Sequence, residues 1–176
     1  MNVLVFGATG MVGQGVLREC LLDPDVTRVQ AIGRTPTGIH HPKLRETVHS
    51  DLWHYSAIEG DLSGFDACFF LLGVSSAGMK AEAYERITYG ITMAAAETLC
   101  RLNPNMKFFY VSGAGTDSTE RGRSMWARVK GKQRTRCSAC PSLPPTCFAQ
   151  ASFNPCTERD RKPLPTGLST LRPNPF

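Results

Sequence analysis

Short apolar runs alternate with amphipathic stretches along the first 112 residues of the chain. The run from Val3 to Phe6 comes first and stops at Gly7. A helix-like stretch from Gln14 to Leu22 follows it. Apolar runs of about four to eight residues are typical of strands that are buried on both faces of a parallel sheet. The pattern predicts further strands at 26–32, 46–49, 66–73 and 106–111 and a long helix over 80–102.

Three glycines spaced G-x-x-G-x-x-G join the first strand to the first helix. Gly7 would allow a tight turn, Gly10 a close approach of the backbone to a diphosphate, and Gly13 close packing of the helix on the strand. The N-terminus of the helix then offers free N–H groups and a positive dipole end to phosphate. An ordinary βα turn is the alternative. We predict that a dinucleotide site is formed by Gly7, Thr9, Gly10, Met11, Val12 and Gly13.

The order of the predicted elements indicates the fold class. Strands and helices alternate over residues 2–112, which implies parallel strands joined by right-handed crossovers. With 176 residues, the chain is long enough for one domain with a real core. We therefore predict an α/β protein in which residues 1–132 form an NAD(P)-binding doubly wound parallel sheet, a Rossmann fold, and the C-terminal part is incomplete or irregular.

Charge and hydropathy exclude several classes of protein. The net charge is +5, but residues 1–132 hold 14 Lys and Arg against 13 Asp and Glu, so most of the excess lies in residues 133–176. We therefore expect no nucleic-acid partner. Because no apolar run is long enough for a bilayer span or a signal peptide, we predict a cytoplasmic protein without a membrane partner. The oligomeric state is left open.

Cysteines and histidines suggest no metal centre in the predicted domain. Cysteines at three positions lie in apolar helix-like or strand-like contexts and are predicted to be buried free thiols. The histidines lack the spacing and the carboxylate context of a metal site. These residues are Cys20, Cys68 and Cys100, and His40, His41, His49 and His54.

Arg34 indicates the cofactor preference. It follows the second strand about twenty residues after Gly13, where this fold recognises the adenosine ribose. An acidic residue there binds the 2′-hydroxyl of NAD, whereas an arginine accommodates the 2′-phosphate of NADP. We predict NADP(H), with NAD as the alternative and with Thr35 and Thr37 as helpers. A merely solvated arginine is the other interpretation.

The motif G-A-T-G-M-V-G at residues 7–13 resembles the short-chain dehydrogenase/reductase superfamily. More narrowly, it resembles the NAD(P)-dependent epimerase/dehydratase-like and NmrA-like proteins. The resemblance implies that the pair Asp51 and Leu52 lies beside the adenine, although Asp51 could equally cap the next turn. The loop after the fourth strand comes off the edge where open α/β sheets bind ligands. We assign the phosphate and ribose region of the cofactor to that loop, at Leu72, Gly73 and Val74.

The resemblance also implies a reaction centre, made of a serine after the fifth strand and a Tyr-x-x-x-Lys pair on the next helix. Ser112 and Lys130 match the serine and the lysine. The tyrosine position holds Trp126, whose indole N–H is a donor only and cannot exchange a proton at neutral pH. Whether the chain is an enzyme is therefore left open. Substitute proton donors would be Ser124, Tyr84, Tyr89 or a water held by Lys130.

The chain changes character after Lys132. Residues 133–176 contain 8 of the 12 prolines and 4 of the 7 cysteines and show no sustained period, which predicts a disordered tail. A zinc site is a weaker alternative, because only the pair Cys137-x-x-Cys140 has suitable spacing.

A changed reading frame would explain this tail. With permissible codons from Gln133 onward, the neighbouring frame reads Glu-Asn-Ala-Leu-Leu-Gly-Leu-Pro-Phe-Pro-Ala-Ala-Tyr-Met-Phe-Arg-Pro-Gly. That peptide has the apolar period of a helix and a strand, and it resembles the continuation of the family. We hypothesise the loss of one base near the codon of Lys132, which the coding DNA would test.

Three functions are consistent with the sequence. The first is an NADP(H)-dependent oxidoreductase or epimerase-like enzyme for a small carbonyl or alcohol substrate. The second is a non-catalytic NADP(H)-binding sensor or regulatory protein of NmrA-like type. The third is an inert frameshifted product. The identity of the substrate does not follow from the sequence.

Overall fold

The computed structural model of the chain describes residues 1–113, 115–139 and 148–152. Within them, the strands are β1 (Asn2–Phe6), β2 (Arg28–Gly33), β3 (Leu44–Val48), β4 (Ala67–Phe70), β5 (Lys107–Ser112) and β6 (Phe148–Ser152). All neighbouring strands are parallel, in the order β3-β2-β1-β4-β5-β6. This is the doubly wound order of the Rossmann fold. The predicted fold class is confirmed.

The described helices are α1 (Met11–Leu22), α2 (Ala81–Leu102), α3 (Met125–Ala139) and a 3-10 helix at Ser56–Leu62. Helix α1 begins three residues earlier than the predicted Gln14, because Gly10 serves as its N-cap. The other elements match the predicted ones to within three residues at each end. The hydrophobic period is weakest at the ends of elements, which is why the bounds differ there.

Side chains of the sheet alternate between two apolar clusters, one on each face. Val3 and Val5 of β1 belong to the cluster under α1, while Leu4 and Phe6 belong to the cluster under α2. Because β1 is covered on both faces, its apolar run is continuous. The free thiols predicted to be buried are buried in these clusters, at Cys20, Cys68 and Cys100.

Two segments of the region predicted to be irregular have regular structure. Helix α3 continues through residues 133–139, and residues 148–152 form β6 beside β5. The helix continues because no glycine or proline occurs between Gly131 and Pro141. Strand β6 is defined by its pairing with β5, which a one-dimensional pattern does not contain. The suggested zinc site lies outside the residues whose side chains are described.

Candidate functional site

The glycine turn between β1 and α1 is closely packed. Gly7 has φ +79°, in the left-handed region that favours glycine. The N–H of Gly10 donates to the carbonyl of Gly7 at 3.0 Å. A Cβ added at Gly13 would overlap that same carbonyl oxygen, so α1 can lie on the turn only because Gly13 has no side chain. The predicted turn and the predicted packing are both present, and the ligand contact stays a prediction.

The N-terminus of α1 is open to an anion. Its first turn has no side-chain cap and no acidic residue. Thr9, Gly10 and Met11 are exposed, and Val12 is half-buried. Uncapped N–H groups and the positive end of the helix dipole attract negative charge. These residues could therefore hold the diphosphate of a dinucleotide.

The end of β4 lies directly against the glycine turn. A Cβ on Gly7 would be 3.1 Å from the carbonyl group of Leu71 and from the nitrogen of Leu72. Leu72 is half-buried against the cluster under α2, and Gly73 and Val74 after it are exposed. The structure thus places Leu72 next to the glycine turn, with Gly73 and Val74 following it in the chain.

Arg34 is exposed immediately after β2. Its guanidinium forms no ion pair with any described residue. Three residues further on, the N–H of Thr37 donates to Oε1 of Glu46 on β3 at 2.7 Å. Thr9 of the glycine turn lines one small cavity of about 10 Å³ together with Thr35, Thr37 and Glu46. Glu46 could not be singled out from the sequence, since its contact joins two separate elements and its acidic side chain was the only signal.

The carboxylate of Asp51 is used within its own loop. Oδ1 accepts hydrogen bonds from the N–H groups of Trp53 at 2.9 Å and His54 at 3.2 Å, and Oδ2 lies 2.9 Å from Nδ1 of His54. The bond with the His54 ring and then that with the Trp53 amide lower the pKa of Asp51. The capping interpretation is therefore realised, and an adenine contact stays a prediction. Leu52 packs against the cluster under α2.

Ser112 and Lys130 come together at the end of β5. Ser112 is the last residue of that strand and is 1% exposed. From α3, Nζ of Lys130 donates to the carbonyl of Val111 at 3.3 Å and lies 5.4 Å from the ring centre of Tyr110. Burial lowers the pKa of Lys130. Both residues that the resemblance places in the reaction centre thus lie at one strand end.

Trp126 covers this strand end. Its side chain is half-buried, four residues before Lys130 and on the same face of α3. A Cβ on Gly113 would be 2.9 Å from the indole ring, and one on Gly115 would be 3.9 Å from it. The indole therefore rests on the backbone of the loop after β5. It lies where the resemblance implies a phenol.

The three substitute hydroxyl groups are spread over different surroundings. Tyr84 is 3% exposed inside α2, and Ser124 is exposed just before α3. The ring of Tyr89 lies 5.8 Å from Nζ of Lys132, which also pairs with Glu85. No described contact joins any of the three hydroxyls to Lys130.

Helix α3 adds two polar residues that the sequence analysis did not single out. Arg134 donates from Nη2 to Oγ of Ser112 at 3.5 Å and from Nη1 to Oγ of Ser118 at 3.0 Å. Gln133 is fully buried, and neither end of its amide finds a partner among the described residues. An unsatisfied buried polar group costs about 1–3 kcal/mol. The i, i+4 spacing from Lys130 could have indicated Arg134, whereas no pattern indicates Gln133.

In the described part of the chain, no helix is both long and apolar enough to cross a membrane. The same residues include no group of three or more His, Cys, Asp or Glu side chains that could hold a metal ion.

No protein-family model matches the chain. The chain is 30% identical over 135 residues to protein FMP52-2, mitochondrial, of the yeast Scheffersomyces stipitis. That alignment covers 74% of this chain and 57% of the yeast protein. The chain therefore spans little more than half the length of this relative.

Solved structures share the fold. DesIV, a dTDP-glucose 4,6-dehydratase from Streptomyces venezuelae with NAD and TYD bound, matches 86% of this chain and 55% of its own at a TM-score of 0.69 and 20% identity. WbmF of Bordetella bronchiseptica, in complex with NAD+ and UDP, matches 87% of this chain and 48% of its own, at a TM-score of 0.66 and 20% identity. A short-chain dehydrogenase/reductase superfamily protein from Agrobacterium tumefaciens with bound NAD matches 86% of this chain and 48% of its own, at a TM-score of 0.61 and 16% identity. The predicted resemblance is confirmed for the fold.

Proposed function

We propose that the chain binds NADP(H) at the carboxyl edge of its sheet, as a member of the short-chain dehydrogenase/reductase superfamily. The observation that carries this proposal is the glycine turn, in which Gly13 packs on Gly7 below the uncapped N-terminus of α1. Open parallel sheets bind ligands at the point where the strand order reverses, here between β1 and β4. NAD is bound in two of the solved structures that share the fold and NAD+ in the third, which supports a nicotinamide dinucleotide.

Arg34 favours NADP over NAD in this proposal. It is exposed at the end of β2, where the fold places the adenosine ribose, and it has no ion-pair partner among the described residues. A free guanidinium binds phosphate through charge-assisted hydrogen bonds. An NAD-specific site would place an acidic side chain at this position instead.

The proposed activity is that of an oxidoreductase- or epimerase-like protein acting on a small carbonyl or alcohol substrate. A bound nicotinamide would supply or accept the hydride. Lys130 would hold the nicotinamide ribose through its ammonium group, which already lies at the end of β5. The hydroxyl of Ser112 would donate a hydrogen bond to the substrate oxygen. The substrate itself is not specified by these residues.

Trp126 favours a second candidate, a dinucleotide-binding sensor or regulator without turnover. The indole has no proton that it could exchange with a substrate oxygen at neutral pH. It also fills the space over Gly113, within 2.9 Å of a Cβ built there. In this candidate Ser112 and Lys130 serve only as cofactor contacts.

Gln133 favours the third candidate, an inert product of a changed reading frame. The hypothesised change lies near the codon of Lys132, and the first fully buried residue after it, Gln133, has an amide without a described partner. Native proteins leave few such groups unsatisfied.

The cytoplasmic location also stays a prediction.

Calorimetric titration with NADPH and with NADH tests the binding proposal. We expect NADPH to bind more tightly than NADH, and Arg34→Ala to remove that difference. Lys107→Ala is the matched control, because it removes one positive charge at the opposite end of the sheet. Failure of the wild-type chain to bind either dinucleotide would overturn the proposal and leave the inert product as the best candidate.

A turnover assay separates the enzyme from the sensor. NADPH oxidation would be followed with a panel of small carbonyl compounds under conditions in which NADPH binding has been established. Oxidation that depends on the carbonyl compound and is lost in Ser112→Ala identifies an enzyme. Binding without oxidation identifies the sensor.

A further inference from the structure

The geometry points to Glu46 as a positioning residue that sets how strongly the chain prefers NADP(H) over NAD(H). Its carboxylate holds the loop that carries Arg34, and its negative charge opposes the 2′-phosphate that Arg34 attracts. The inference rests on the proposed dinucleotide site and deepens it.

One hydrogen bond, here called the tie, joins Glu46 of β3 to the loop after β2 that begins with Arg34. Oε1 of Glu46 accepts a hydrogen bond from the N–H of Thr37 at 2.7 Å. Within the same loop, Oγ1 of Thr37 accepts one from the N–H of Ile39 at 3.2 Å. Ladder pairing in turn fixes Glu46, which lies opposite Ala31 of β2. The sheet therefore fixes the chain three residues after Arg34 through one carboxylate oxygen.

The second step is the position of this tie beside the glycine turn. Thr9 of the turn and Thr37 and Glu46 of the tied loop line one cavity, whose volume is about 10 Å³. Such a volume holds about one water molecule. Thr37 and Glu46 therefore lie beside the glycine turn, and their hydrogen bond holds the chain after Arg34 near the edge where the adenosine ribose would lie.

The third step is the charge of Glu46. No ion pair of this carboxylate occurs among the described residues. Three residues of chain reach at most about 10 Å, so the backbone of Arg34 lies within about one Debye length of Thr37, the residue that Glu46 binds. A 2′-phosphate bound to the Arg34 side chain would therefore lie within about one to two Debye lengths of the Glu46 carboxylate, so its repulsion by this carboxylate is felt at low salt, whereas NAD has no phosphate there.

Position and charge can be separated by two substitutions. Glu46→Gln keeps an oxygen that can accept from Thr37 and removes the charge, whereas Glu46→Ala removes both. We expect Glu46→Gln to bind NADPH about 3–10-fold more tightly than wild type at 50 mM salt, and NADH within twofold of wild type. We expect Glu46→Ala to bind NADPH more weakly than Glu46→Gln does, because the loop is released.

The experiment titrates wild type, both variants and the control Glu97→Gln, which removes an exposed carboxylate from α2. Each is titrated with NADPH and with NADH at 50 mM and 500 mM salt, and the gain in Glu46→Gln should shrink at high salt. Hydrogen exchange of the Thr37 amide without ligand reports the tie directly. It should be slow in wild type and Glu46→Gln and fast in Glu46→Ala.

Several results would overturn the inference. Equal NADPH-to-NADH affinity ratios in wild type and Glu46→Gln would remove the role of charge. Equal NADPH affinities in the two Glu46 variants, or fast exchange of the Thr37 amide in wild type, would remove the role of the tie. These results leave the dinucleotide site intact if wild type binds NADPH. A wild-type chain that binds neither dinucleotide would overturn the site and this inference together.

Discussion

The candidate site has two ends, the glycine turn after β1 and the segment after β5. They differ in how well their side chains suit the surrounding backbone and its hydrogen bonds. At the turn from β1 to α1, every close contact is made by a residue that can make it, since Gly7 takes a positive φ and Gly13 leaves room for a carbonyl. In the segment from the end of β5 through α3, Trp126 covers the strand end and Gln133 buries an amide without a described partner.

This difference indicates where the sequence and the fold agree. Local preference, packing and polar satisfaction point to one structure in natural proteins, and exceptions mark functional sites or foreign sequence. Trp126 precedes the hypothesised frame change near Lys132, so on that hypothesis it bears on function. Gln133 would follow the change, so its buried amide would bear on the origin of the tail.

The largest loss of stability is expected from a substitution in the glycine turn between β1 and α1. In Gly13→Ala the new Cβ would overlap the Gly7 carbonyl oxygen and lie 2.9 Å from Cα of Ala8, and backbone atoms cannot rotate away. We expect a loss of at least about 3 kcal/mol in the free energy of unfolding, measured by urea denaturation, and loss of dinucleotide binding. The control Gly15→Ala meets no atom within 4 Å and should gain about 0.5–1 kcal/mol. Similar losses in the two variants would contradict the packing argument.

The next effect concerns the proton donor that the candidate reaction centre lacks at Trp126. Trp126→Tyr would supply a phenol four residues before Lys130, whose positive charge would lower the pKa of that phenol. We expect NADPH-dependent carbonyl reduction to rise at least about 100-fold, the lower range for general acid catalysis. Trp126→Phe provides the same ring without the hydroxyl and should stay at the wild-type rate. Equal rates in the Tyr and Phe variants would show that a missing proton donor is not what limits turnover.

A smaller effect on stability tests the buried amide of Gln133 in α3. Gln133→Leu replaces an amide that has no partner among the described residues by an apolar side chain, and we expect the free energy of unfolding to rise by about 1–3 kcal/mol. The control is Gln30→Leu, since Gln30 is also buried but donates from Nε2 to Oγ1 of Thr47 at 2.8 Å. That variant should lose about 1 kcal/mol. A loss of stability in Gln133→Leu would mean that its amide is satisfied.

The smallest effect concerns the pH dependence of stability. Because the pKa of Lys130 is lowered from 10.5, the unfolded chain binds this proton more readily than the folded chain does. The charge therefore destabilises the fold at pH 7, and this contribution fades as the pH rises through the lowered pKa towards 10.5. Lys130→Met should gain most over wild type at pH 7 and least at pH 10.5; the control is Lys107→Met, which removes an exposed lysine. A gain that is constant with pH would contradict a lowered pKa.

The fold and the glycine turn could be predicted because their signals are local. Gly7 and Gly13 are six residues apart, and the apolar run from Val3 to Phe6 directly precedes them. Arg34 could be placed because the length of one β-α-β unit fixes the end of β2. Ser112 could be placed at the site because it ends a parallel strand, and the ends of parallel strands lie at one edge of the sheet.

Other features of the site depend on contacts that no single stretch contains. The hydrogen bond from the N–H of Thr37 to Glu46 joins a loop to an edge strand. The position of the Trp126 ring requires a residue without a side chain at Gly113. Asp51 could cap its turn or face a ligand, and only the geometry showed its three hydrogen bonds to Trp53 and His54. These choices are decided by packing in three dimensions and not by residue type.

The central position of β1 has a consequence for synthesis of the chain. Val3 pairs with Val29 on one side and with Ala67 on the other. Ribosomes add roughly 5–20 residues per second, so the 64 residues from Leu4 to Ala67 take roughly 3–13 s to add. For that time β1, an apolar strand, has an unpaired edge. We expect the yield of folded protein to depend on translation speed and on chaperones that shield this strand.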